Sequence, residues 1–237
     1  MPAMMRFWGW ILSVFMMASA TQVAAQQGEN PVVVELFSSQ GCSSCPPADR
    51  MLARLAQRDD VIALALHVDY WDYIGWKDSF AQPAFTARQK GYAYAAGQRS
   101  VYTPQIVVNG LDHVMGANSM DVMDRIRAHQ DQRSPVAVRL SRASGSLLVE
   151  ADAAKPVGSM EVFLVRYRPS ASVRVARGEN AGRTLDYANV VTEWSLLGRW
   201  PGDGPLRMSV VLRGDNPAVV LIQKPDHGPI VAAASLR

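Results

Sequence analysis

The chain has 237 residues, 49% hydrophobic and 19% charged, a balance that supports a sizeable core and excludes intrinsic disorder. A formal net charge of +3 with no basic run gives no surface for tracking phosphates, so nucleic acid is not an expected partner. Two cysteines and four histidines exclude both a disulfide scaffold and a four-thiolate zinc cage, and no metal site is expected.

In chain order, Arg6 precedes an apolar stretch over 7–20, and Val23-Ala24-Ala25 offers small residues before Gln26. This is the pattern of a secretory signal peptide over 1–25, with Ala18-Ser19-Ala20 as an alternative cleavage site. The stretch is shorter than the roughly 20 apolar residues that span a bilayer, and no later segment is long enough. The expected location is therefore periplasmic or secreted, with no membrane attachment after cleavage. Disulfides persist in such compartments.

Residues 26–133 read as mixed α/β: a strand over 32–37, a helix over 49–57, and a two-sided strand over 61–68 that pairs in parallel with the first. An aromatic segment with Tyr70, Trp71, Tyr73 and Trp76 follows, then a helix over 83–96 closed by Gly97. A strand over 106–108 turns at Asn109-Gly110 into a partner over 111–115, and the last helix covers 119–130 with Ser119 as its N-cap. From 134 to 237 the period changes to short strands, over 136–140, 146–150, 160–168, 172–176, 207–213, 218–223 and 230–234, read as a small all-β sandwich. The fold class expected is α/β, with this sandwich as a second domain.

Cys42-Ser43-Ser44-Cys45 lies between the first strand and a helical stretch. Residues three apart on a helical turn share a face, which brings two sulfurs within disulfide reach. A helix N-terminus favours the thiolate, lowering a cysteine from about 8.5 to between roughly 3.5 and 7.5. At an accessible turn Cys42 then serves as the nucleophile and Cys45 resolves the mixed disulfide. An inert bridge is the alternative, but a loop this short removes little unfolded-state entropy.

A strand leading to C-x-x-C, with Thr103-Pro104 about sixty residues later opening another strand, resembles the thioredoxin superfamily. The resemblance implies a thioredoxin-like domain, a cis Thr103-Pro104 peptide beside the sulfurs, and substrate binding by Thr103 and Pro104. It also implies that Glu35 is the buried acid that exchanges a proton with Cys45, and Trp71 could add an apolar rim for a client. Residues 34–50, 67–76, 102–105 and 178–185 are similar to a group of secreted bacterial thioredoxin-like proteins catalogued as a domain of unknown function.

This chain departs from the better-known thioredoxin pattern at two places. Gln40-Gly41, rather than a tryptophan, precedes Cys42. Pro46 and Pro47 follow Cys45, so the regular helix is expected to begin there, leaving Cys42 in a loop with less support from the dipole.

The expected function is an exported thiol-disulfide oxidoreductase acting on protein or peptide disulfides with a redox partner and no bound cofactor. Oxidase, reductase and isomerase directions all remain open. The alternatives are copper(I) binding or delivery by the same cysteines with His113 or Met115 nearby, and a structural module whose cysteine pair is merely stabilising.

Overall fold

The computed structural model describes residues 31–237 apart from 117 and 144. The signal-peptide expectation and both cleavage sites lie outside the described residues.

The first strand, β1 (Val32–Ser38), and β2 (Val61–His67) are buried along their whole length, as two-sided central strands must be. They pair in parallel, Val32 opposite Val61 through Ser38 opposite His67. Between them α1 (Pro46–Leu55) opens on two prolines, whose fixed φ suits the first helical positions. After a 3₁₀ turn at Asp72–Ile74 comes α2 (Pro83–Ala95), again started by proline. The antiparallel pair β3 (Gln105–Val108) and β4 (Asp112–Met115) turns at Asn109 and Gly110, both at positive φ, the backbone a two-residue hairpin needs. In α3 (Ser119–Gln130) the N-cap is Asn118, whose side chain accepts from the Asp121 amide, and not Ser119.

The later strands are β5 (Val136–Ala143), β6 (Ser146–Ala153), β7 (Met160–Arg174), β8 (Thr184–Trp200), β9 (Leu206–Val211), β10 (Ala218–Gln223) and β11 (Ile230–Leu236). An eight-stranded mixed sheet runs β11-β10-β7-β8-β2-β1-β3-β4, and β5-β6-β9 form a second sheet. Residues 133 and 134 lie in the α3–β5 link, and the large sheet takes strands from both sides of it. The join is β2 beside β8, with Ala65 opposite Val190 and the Asn189 side chain donating to the Ala63 carbonyl at 2.9 Å.

Alternation along the strands assigns the faces. Val32, Val34 and Leu36 pack with α1 and α3, whereas Val33 and Phe37 pack with Phe85 and Tyr92 of α2. The residues of β10 divide in the same way: Val220 and Ile222 meet Leu147 and Val149 of the small sheet, while Val219 and Leu221 join the α2 core. One face of the large sheet is thus covered by α1, α3 and the small sheet, and the other by α2.

Two differences from the expected strands have local causes. Pro169, which cannot donate to a ladder, splits the apolar pattern of what is in fact one strand, β7. β8 has no counterpart among the expected strands: Asp186, Asn189, Glu193 and Gly198 interrupt its apolar pattern, and two register shifts against β7 break its alternation.

Candidate functional site

The link from β1 to α1 folds as a tight turn, with the Cys42 amide donating to the Ser39 carbonyl at 3.1 Å and the Cys45 amide to the Cys42 carbonyl at 3.2 Å. Cys42 and Cys45 form a disulfide, their Cα atoms 5.4 Å apart. Cys45 is the helix N-cap, and α1 begins at Pro46. Both cysteines are fully buried, while Ser43 and Ser44 are exposed. The turn expected to be open is therefore closed.

It is packed from two directions. A Cβ on Gly41 would lie 2.9 Å from Ile74 Cδ1 and 3.3 Å from Trp71 Cβ, so the aromatic segment presses on the backbone just before Cys42. From the other half of the chain, the link between β7 and β8 folds over the turn. Asn180, fully buried, donates from Nδ2 to the Gln40 and Cys42 carbonyls, both at 3.0 Å. Its Oδ1 accepts from Arg183 at 2.7 Å. Glu179 accepts from the Ser43 amide at 3.2 Å. Gly178, at φ +78°, passes Ile74 closely, its Cβ position only 3.2 Å from Cδ1.

The Thr103-Pro104 peptide is cis. Gly116 lies between Pro104 and the first turn of α1: a Cβ there would sit 2.9 Å from Pro104 Cβ and 3.1 Å from Ala48 Cβ, and its amide donates to the Pro104 carbonyl. Trp71 is hooked to this segment by its indole Nε1, which donates to Thr103 Oγ1 at 2.7 Å, and it stacks on the exposed Tyr73. Trp71 thus links the backbone just before Cys42 to Thr103.

Glu35 goes elsewhere. It alternates with Val34 and Leu36 and so points to the α2 face, where Arg88 donates to both its oxygens at 2.7 and 3.1 Å and Tyr92 donates at 2.5 Å. His113 also faces that side, edge-on to Tyr92. Met115 lies at the far edge of the sheet on β4, exposed. Among the described residues no group of three His, Cys, Asp or Glu side chains is arranged to hold a metal ion.

The buried acid on the side of the cysteines is Asp49, one helical turn after Cys45, whose carbonyl its amide meets at 3.1 Å. Ser38 donates to its carboxylate at 2.8 Å. Burial pushes the Asp49 carboxyl up to about 6, against the opposing influence of His67 and the Ser38 hydroxyl, while Asp78 pushes the same way as burial. His67 and Asp78 are both buried and paired, Nδ1 to Oδ2 at 2.7 Å, and the same Asp78 oxygen accepts the Gln40 amide. Burial would raise Asp78, but the His67 charge and these donors hold it below the usual carboxylate range. The His67–Asp78 pair thus reaches Gln40, two residues from Cys42, and Asp49 feels the charge of both. Sequence reasoning missed Asp49 because an aspartate in a first helical turn ordinarily serves the dipole at the surface. For the 178–185 loop the sequence offers two readings, a polar surface near the redox site or ordinary turn chemistry, and it singles out neither Glu179 nor Asn180.

Residues 33–223 match a protein family described as a protein of unknown function, DUF1223. The chain belongs to DUF1223. This DUF1223 member is similar to the crystal structure of protein AGR_C_4864 from Agrobacterium tumefaciens, with 34% identity and a TM-score of 0.77, covering 89% of this chain and 96% of that one. HBP35 of Porphyromonas gingivalis shares the fold at 13% identity and a TM-score of 0.60, covering 89% of this chain and 76% of that chain. No curated protein matches the sequence.

Proposed function

We propose that this DUF1223 member is a thiol-disulfide oxidoreductase of thioredoxin-like architecture, acting in the periplasm or outside the cell on protein or peptide disulfides. The observation that carries the reading is the Cys42–Cys45 disulfide between a central strand and the start of a helix; the cis Thr103-Pro104 peptide, tied by Thr103 to Trp71, supports it. The order β1-α1-β2-α2-β3-β4-α3, with sheet neighbours β2-β1-β3-β4, is that of the thioredoxin fold and supports the same reading. The strands from β5 onward are then an elaboration whose β7–β8 link reaches the redox turn.

In the reduced protein the Cys42 thiolate attacks a client disulfide, forming a mixed disulfide and releasing one client thiolate. Cys45 gives its proton to Asp49, attacks Cys42 Sγ and releases the second client sulfur, so the client gains two electrons and the protein regains its disulfide. Asp49, buried one helical turn after Cys45, supports that role, whereas Glu35 is held by Arg88 and Tyr92 on the α2 face; Thr103 and Trp71 are assigned to client binding. The exchange runs in either direction and needs no bound cofactor. The apolar leader over 1–25 supports export.

Reduction of insulin by dithiol-reduced protein tests the reading, with Cys42→Ser as control. Wild-type protein is expected to turn over and the mutant to be inert. Cys45→Ser is expected to hold clients through Cys42 as mixed disulfides that a reductant releases. Equal rates for wild type and Cys42→Ser would end the proposal.

A further inference from the structure

The amides of Cys42, Ser43 and Cys45 each have a partner. A helix normally offers four free N–H groups at its start, and these are what stabilise a nearby thiolate. Here the first two helical residues, Pro46 and Pro47, have no N–H. The next two amides, of Ala48 and Asp49, both donate to the Cys45 carbonyl, at 2.9 and 3.1 Å. The Cys45 amide is held by the Cys42 carbonyl, and the Ser43 amide by the Glu179 carboxylate. The one side-chain donor at Cys42 Sγ among the described residues is the Ser44 hydroxyl, 3.4 Å away. Glu179 therefore does two things at once: it takes an amide that would favour a thiolate, and it sets a negative charge beside it. The other charged groups packed against the turn are Asp49 from α1, His67 from β2, Asp78 from the segment before α2, and Arg183, which is held to Asn180.

We infer that Glu179, together with the Pro46-Pro47 pair, keeps Cys42 as a neutral thiol and thereby sets the direction of the exchange: the dithiol is an electron donor, and its clients are disulfides to be reduced. The inference rests on the oxidoreductase reading above. A pair whose thiolate is well stabilised is a strong oxidant because its reduced form is favoured. Withholding that stabilisation favours the disulfide in the enzyme and drives electrons to the client. The balance is two electrons and two protons from Cys42 and Cys45 to one client disulfide, with the spent disulfide restored by a partner dithiol. Glu179 is a positioning residue: it holds the Ser43 amide and sets its charge near the turn without touching the reacting sulfur.

The test uses the full mature chain equilibrated in glutathione buffers, with the ratio of disulfide to dithiol read by alkylation, and the Cys42 pKa read from the pH profile of alkylation. Glu179→Gln keeps the length and the acceptor but removes the charge. At pH ~9.5, above the Cys42 value, where a fall in pKa is read in full by the equilibrium, a screened surface charge of this kind predicts about a threefold shift toward the dithiol, with a matching fall in the Cys42 pKa and an unchanged melting temperature. Pro47→Ala, which restores one amide from a different element, is expected to shift it about threefold again. The double variant then moves roughly tenfold, ~30 mV. In the wild type the Cys42 pKa is expected to be no lower than that of an unstructured thiol, about 8.5. A cycling protein whose equilibrium and pKa ignore both substitutions, or a wild-type pKa below ~7, overturns the inference and leaves the oxidoreductase reading standing. Sulfurs that fail to cycle in any variant sink both.

Discussion

Asp49 carries a cost that depends on pH in a way that can be isolated. Its carboxyl is raised from an ordinary 3.8 to about 6 by burial. A group raised on folding contributes stability that is complete below its unfolded value and is lost as the pH rises through its folded value. Between pH 4 and 6, then, the charged form becomes progressively disfavoured, by a total on the order of 3 kcal/mol for about two units. Asn at this position keeps an acceptor for Ser38 and never ionises. The difference in unfolding free energy between Asp49→Asn and wild type is therefore expected to grow in favour of the mutant over that window and stay flat above it. Urea unfolding across pH 4–8 measures this; a constant difference would remove Asp49 from its buried setting. The same substitution should slow client release from the mixed disulfide and erase an inflection near pH 6 in the rate profile, which a purely structural role would leave in place.

At the scale of elements, the link between β7 and β8 behaves as a clasp on the redox turn. Asn180 satisfies the Gln40 and Cys42 carbonyls, both in a fully buried setting. Asn180→Ala strands two buried acceptors and frees Arg183, a loss of about 1–3 kcal/mol. Because both sulfurs are buried with the clasp in place, reduction by a small dithiol should become faster in this variant, by more than its loss of global stability explains. Stopped-flow reduction beside denaturant unfolding separates the two, and an unchanged rate would mean that another segment closes the turn. Little of this was legible in the sequence. The helices and the first four strands announce themselves through apolar period, prolines and the Asn109-Gly110 turn, and the cysteine pair through its spacing. The clasp depends on a contact across more than 130 positions, formed because β8, a strand hidden by its polar residues and register shifts, pairs with β2. Glu35 misled for a related reason: strand alternation makes its side chain face one side or the other, but only the placement of the helices says which side holds the sulfurs.

For the whole molecule, that same Glu35 becomes a tie between the two halves of the chain. Arg88 of α2 is buried and reaches four strands: it meets Glu35 on β1, Gln223 on β10 at 3.1 Å, and the rings of Phe163 on β7 and Trp194 on β8, the latter with its guanidinium carbon 3.8 Å from the ring centre. The surrounding α2-face core mixes Val33, Leu64 and Phe85 with Val165, Val219 and Leu221. Residues from either side of position 133 thus share one desolvated centre, and their melting should be a single event. Glu35→Gln leaves the guanidinium buried without its counter-charge, a change that costs about 3–5 kcal/mol when one partner of such a pair is removed. Hydrogen exchange should show protection falling together in β1, β2, β7 and β10, with one lowered melting transition. Loss confined to β1 through β4, with β7 and β10 still fully protected, would mean that the chain divides near residue 133 after all and that the clasp belongs to a domain able to move away from the cysteines.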